Sequence, residues 1–234
     1  MNWRSARKAG GALLVAAGLV FAVTFAKGDD SEVDLALILA IDCSFSVDKS
    51  EYQLQMAGLG AALASPEVHE AIQSGPHQKI AIAVFHWSDA EDQQVIQPWT
   101  IVSTAGEAKA LGDRMTRMPR NIKLGGTGIS SALIFGAALF NLAPASTRQV
   151  IDLSTDGRNN MGGPAPRARD TVVARGIVIN GLAIANEWPT LDSYLENQVV
   201  GGQGNFVIKA HSYDDFGAAM LKKLVREITG PGMT

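Results

Sequence analysis

Three short stretches of this sequence carry oxygen donors in a pattern that could do chemistry. Asp42-Cys43-Ser44-Phe45-Ser46 places one carboxylate and two hydroxyls at alternate positions. Gly125-Gly126-Thr127-Gly128 sets a third hydroxyl among glycines that let the backbone turn tightly and bring it inward. Ser154-Thr155-Asp156-Gly157 supplies a second carboxylate. Asp42, Ser44, Ser46, Thr127 and Asp156 together offer only oxygen and little charge. That donor set suits a hard divalent cation, Mg²⁺ most readily, with Mn²⁺ or Ca²⁺ as alternatives. It works only if the fold gathers stretches that lie far apart in the chain.

Each stretch also has a plainer reading when taken alone. Asp42 to Ser46 could be a helix cap and turn, and Asp156-Gly157 a simple turn. Gly125 to Ser131 has the glycines of a phosphate-binding loop but lacks the lysine that reaches the phosphates. The lone Cys43 excludes a disulfide framework and any multi-cysteine metal site, and it reads as a small buried side chain rather than a nucleophile. His86 reads as a satisfied strand histidine, and Asp152, inside an apolar strand, as one half of a structural hydrogen bond or ion pair. Arg158, Asn159 and Asn160 either rim the site or form a solvated loop. Trp87 and Trp99 read as packing residues at a sheet edge.

The elements that must position these loops follow from hydrophobic patterning. Val33 to Ile41 and Lys79 to Trp87 are nearly continuous apolar runs, as expected of strands covered on both faces. Gln93 to Val102 follows closely enough to pair as an antiparallel hairpin. Gln149 to Ser154, Ile177 to Ile184 and Asn205 to Lys209 add three more strands. Tyr52, Met56, Leu59 and Leu63 recur at helical spacing behind a capping pair, Asp48 and Glu51. Ala105 to Met118 reads as helical, and so does Gly128 to Leu142, whose nearly all-apolar surface predicts deep burial. Tyr213 to Ile228 reads as an amphipathic helix on Phe216, Met220, Leu224 and Ile228, with Lys222, Lys223 and Arg226 late, where they complement the helix dipole. The expectation is an α/β fold: a mostly parallel six-stranded sheet with helices on both faces and one antiparallel pair. In such sheets a ligand sits outside the carboxyl ends of the strands, where all three oxygen-bearing stretches fall.

Composition bounds the rest. In 234 residues, 47% hydrophobic and 18% charged residues leave ample core material and exclude a disordered chain. A net charge of −3 argues against a nucleic-acid partner. Arg4, Arg7 and Lys8 precede an apolar run from Ala9 to Ala26, the order of a secretory signal peptide over residues 1–26, or of an uncleaved amino-terminal anchor. Its removal takes away three cations and no acid, which deepens the charge to −6. The expected product is a single domain over residues 31–230, exported to the periplasm or beyond, and membrane-bound only through an uncleaved segment.

Asp42-x-Ser44-x-Ser46, then Gly-Gly-Thr127, then Thr-Asp156-Gly157 on this strand order resembles a von Willebrand factor A-type domain with its metal-ion-dependent adhesion site, which implies a doubly wound α/β sheet with one short antiparallel edge strand. The stretches VDLALILAIDCSFSVDKSEYQLQ, RQVIDLSTDGRNNMGG, ARDTVVARGIVINGLAI and YDDFGAAMLKKLVREITG are similar to an uncharacterised group of exported bacterial proteins with this domain. The resemblance implies direct metal ligation by the Ser44 and Ser46 hydroxyls. It implies ligation by Thr127 directly or through water, and by Asp42 and Asp156 mostly through bound waters. Neutral direct ligands leave the ion able to take a carboxylate from a partner protein into its shell. The implied function is non-enzymatic, metal-dependent protein binding. A Mg²⁺-dependent phosphoesterase-like hydrolase, or a structural domain that makes no use of the ion, remain as alternatives.

Overall fold

The computed structural model describes residues 32–122 and 125–230. The expected leader over residues 1–26, and Lys123, lie outside them. Six strands form one sheet in the order β3-β2-β1-β4-β5-β6: β1 Leu35–Asp42, β2 Ile80–Trp87, β3 Gln93–Val102, β4 Gln149–Thr155, β5 Val178–Ile184 and β6 Val207–Ala210. All neighbours are parallel except β2 and β3. The antiparallel edge strand β3 has the span read from the sequence and is not the short strand that the resemblance implies. At ten residues it is the longest strand, because register shifts between Ile82 and Phe85 let it follow the whole length of β2.

Strand periodicity divides the apolar runs between two cores. Leu35, Leu37, Leu39 and Ile41 face one layer: α1 (Lys49–Leu63), α2 (Pro66–Gln73), α3 (Ala105–Thr116) and α7 (Phe216–Thr229). Ala36, Ile38 and Ala40 face the other: α4 (Ile129–Leu139), α5 (Ala165–Val173) and α6 (Leu191–Gln198). Small residues let the first layer pack closely. A Cβ on Gly58 of α1 would sit 2.9 Å from the Gly217 Cα of α7. Helix α1 starts on the expected capping box, with Asp48 accepting from the Glu51 N–H and Glu51 accepting from the Asp48 N–H.

Two sequence expectations need correction. Helix α4 is not deeply buried all round. Its outer side faces solvent, with Ile134 45% exposed, because no further layer covers it. Lys223, read as a cation that complements the helix dipole, is held in an ion pair instead. It is wholly buried, 2.8 Å from Asp152 and 2.5 Å from Glu227, whose Oε1 also accepts from Asn180. Asp152 therefore has the structural ion pair its position implies. Trp87 is fully buried on β2, one strand in from the edge, while Trp99 on β3 donates to the Leu139 carbonyl. Helices α2, α5 and α6 go beyond the sequence expectation. They are short, though Ser65 caps α2 ahead of Pro66 at its first turn.

Candidate metal centre

The strand order reverses between β1 and β4, which are neighbours in the sheet but whose flanking connections run to opposite sides. A crevice opens at the carboxyl ends of such a pair. Asp42 is the last residue of β1, and Asp156 directly follows β4.

The fully buried Asp42 carboxylate accepts from the Ser44 N–H at 2.7 Å and from the Thr155 hydroxyl at 2.5 Å. The Ser44 and Ser46 hydroxyls lie 3.3 Å apart, and Ser46 donates to Asp156 Oδ1 at 2.7 Å. Tyr213 donates to the other Asp156 oxygen at 2.9 Å. The Thr127 hydroxyl comes beside the same loop, since a Cβ on Gly157 would lie 3.1 Å from it. Asn160 ties the Thr127 and Asp156 loops together. Its side-chain oxygen accepts from the Thr127 N–H at 2.8 Å, and its own N–H donates to the Thr127 carbonyl at 2.9 Å. Asn159 accepts from the Ser130 N–H at the start of α4. These two asparagines, read from sequence as rim or solvated loop, serve as loop fasteners.

Arg120 holds the β1–α1 loop from behind. It donates to the carbonyls of Cys43 at 2.5 Å, Val47 at 2.6 Å and Ser44 at 3.0 Å. With Phe45 N–H bonded to the Gly125 carbonyl, the loop is pinned from two sides. Sequence reading misses Arg120, Thr155 and Tyr213. Thr155 ends a strand, and Tyr213, expected as a helix start, lies just before α7, which begins at Phe216, but no spacing rule marks Arg120.

The electrostatics follow from burial. Desolvation first, and the nearby Asp156 charge second, push the Asp42 carboxyl from 3.8 up to about 7. Burial and the Asp156 and Asp42 charges also raise the Tyr213 phenol, which keeps it a proton donor. Burial raises the Cys43 thiol, in keeping with an inert side chain, and lowers the His86 imidazole to about 4, so it is neutral at ordinary pH. His86 meets the Tyr52 hydroxyl at 3.3 Å.

Two carboxylates at 0% and 3% exposure face one another, and neither forms an ion pair among the described residues. That uncompensated pair, ringed by hydroxyls, fits a hard divalent ion by charge and by donor type. Asp42, Ser44, Ser46, Thr127 and Asp156 would hold it, and the ion would supply a positive centre with room for an outside oxygen. The site opens to a groove of about 680 Å³ that Phe45, Ser46, Thr127, Arg158, Glu187 and Trp188 help to line.

Residues 32–232 match the family described as "Protein of unknown function (DUF1194)". The chain belongs to that family. No curated protein matches it by sequence. Among solved structures, it is similar to proximal thread matrix protein 1 from the mussel byssus, in a form with a zinc-occupied MIDAS motif. The identity there is 20% and the TM-score 0.65, over 85% of this chain and 48% of that one. The pilus adhesin SpaC from Lactobacillus rhamnosus GG is 13% identical with a TM-score of 0.59, over 84% of this chain and 31% of the adhesin. A von Willebrand factor type A protein from Catenulispora acidiphila is 17% identical with a TM-score of 0.57, over 84% and 43%. The chain thus spans less than half the length of each. The fold is that of von Willebrand factor A domains, and one neighbour of the same fold carries a divalent metal in its MIDAS motif.

Proposed function

We propose that this protein is an exported, non-enzymatic binding module. Asp42, Ser44, Ser46, Thr127 and Asp156 hold a divalent ion, Mg²⁺ in the first instance, and the ion completes its shell with a carboxylate from a partner protein. The observation that carries this reading is the pair of buried acidic side chains, without a cationic partner among the described residues, set among hydroxyls at the β1/β4 crevice. The described groove lining adds one cation, Arg158, and one acid, Glu187. Export rests on the basic-apolar-small order of residues 1–26, and no helix of the described residues is long and apolar enough to cross a membrane.

Thermal unfolding in EDTA, Mg²⁺ and Mn²⁺ tests the metal. At an ion concentration about one hundred times Kd, the native protein should gain about 2.7 kcal/mol, or about 5–10 °C in Tm. Asp42→Ala should gain nothing. Equal melting of the native protein in all three conditions refutes the metal role. Hydrolysis of a generic phosphate ester that is lost on Asp156→Ala refutes the non-enzymatic reading instead.

A further inference from the structure

The rim of the metal groove is unusually apolar for a crevice built on carboxylates. Of the eight large hydrophobic side chains exposed among the described residues, Phe45, Met161 and Trp188 surround this one opening. Phe45 stands between the two site serines with Ser44 turned inward, and it is 78% exposed. Its backbone is held by the Gly125 carbonyl and by Arg120 through the carbonyls on either side of the loop. The ring is therefore presented from a fixed support. Trp188, which lines the same groove, is 46% exposed. The Arg158 guanidinium lies 5.1 Å from the Trp188 ring and 5.5 Å from the Tyr194 ring, and it donates to the Thr190 hydroxyl at 3.0 Å. Arg158 thus stiffens the tryptophan wall. Met161 packs over Gly126, beside Thr127.

Exposed aromatic side chains on rigid supports around a concave site mark a recognition surface. Glu187, next to Trp188, is the one acid of the groove lining and opposes a run of carboxylates there. We propose that the groove takes an extended protein segment bearing a single carboxylate with an aromatic or large aliphatic residue beside it. The carboxylate goes to the ion, and the apolar side chain packs between Phe45 and Trp188. This rests on the metal-dependent reading above and adds to it the chemical class of the partner.

The test uses the full chain and three labelled, C-terminally amidated peptides followed by fluorescence polarisation, in Mg²⁺ and in EDTA: acetyl-Gly-Gly-Asp-Gly-Gly-amide, acetyl-Gly-Gly-Asp-Phe-Gly-amide and acetyl-Gly-Asp-Asp-Asp-Gly-amide. The Asp-Phe peptide should bind about tenfold tighter than Asp-Gly, and only in Mg²⁺. Phe45→Ala and Trp188→Ala should each remove most of that tenfold preference while leaving the Mg²⁺-induced rise in Tm unchanged. Both side chains are exposed, and that retained rise also shows that the variants fold. Equal binding of Asp-Phe and Asp-Gly, tightest binding of the triple-Asp peptide, or no peptide binding alongside an intact Mg²⁺ rise in Tm overturns this proposal and leaves the metal site standing. Loss of the Mg²⁺ rise in the native protein overturns the metal reading itself.

Discussion

Replacing Asp42 by asparagine tests whether the two carboxylates at the crevice are as exposed to each other as the geometry requires. In the ion-free protein the Asp42 carboxyl is raised from 3.8 to about 7. The folded state therefore keeps a proton that the unfolded chain has released, and stability falls as pH rises through that window. From about pH 6 to about pH 8 the loss from this one group is on the order of 1 kcal/mol. Glu227, buried beside Asp152 and raised from 4.5 to about 8, loses stability in the same direction, by about 2 kcal/mol over the same interval. The substituted carboxamide carries no titrating proton and keeps an oxygen for the Ser44 N–H, while the Thr155 hydroxyl can turn to the Gly157 carbonyl it already meets at 3.1 Å. Asp42→Asn should lose the Asp42 share of the slope and keep the shares of Glu227 and of His86, which runs the other way, and in EDTA at the higher pH it should be more stable than the native protein. Urea unfolding in EDTA at the two pH values reads both quantities. Equal pH slopes for the native protein and the variant would show that Asp42 is not desolvated against Asp156, and the electrostatic case for a cation would fail.

Two further substitutions probe the supports of the site and of the sheet. Arg120→Ala removes the donor shared by the Cys43, Ser44 and Val47 carbonyls and should lower stability by about 2–3 kcal/mol. It should also weaken the Mg²⁺-induced rise in Tm, with a smaller loss in Arg120→Lys. A full Mg²⁺ effect in Arg120→Ala would show that the loop does not need this clamp. Lys223→Met strands two buried acids and should cost about 3–5 kcal/mol in urea unfolding at neutral pH. Adding Asp152→Asn should restore part of that loss, and an unchanged double variant would count against the pairing.

The six strands and the long helices were readable because burial on both faces writes continuous apolar runs, and one-sided burial writes a helical stripe. Asp48 and Glu51 announce a helix start that the structure reproduces as reciprocal hydrogen bonds. Patterning misleads where burial depends on what lies outside the element. The apolar surface of α4 does not say that nothing covers Ile134, and the charge of Lys223 does not say that Asp152 and Glu227 wait inside. The short helices α2, α5 and α6 give too few turns for a periodicity to stand out.

The candidate donors were visible as types: acids, hydroxyls and glycines placed just after strands. Residue type and local spacing decided that Asp42, Ser44 and Ser46 share one loop, and that Asp156 follows a strand, because those relations depend on a few consecutive backbone torsions. Only the tertiary structure decided that β1 lies beside β4, that Arg120, Tyr213 and Asn160 brace the loops between them, and that Phe45 and Trp188 line one groove. Strand order is settled by which packing of the whole sheet and its two helix layers buries the most apolar surface. No short stretch of the chain carries that information.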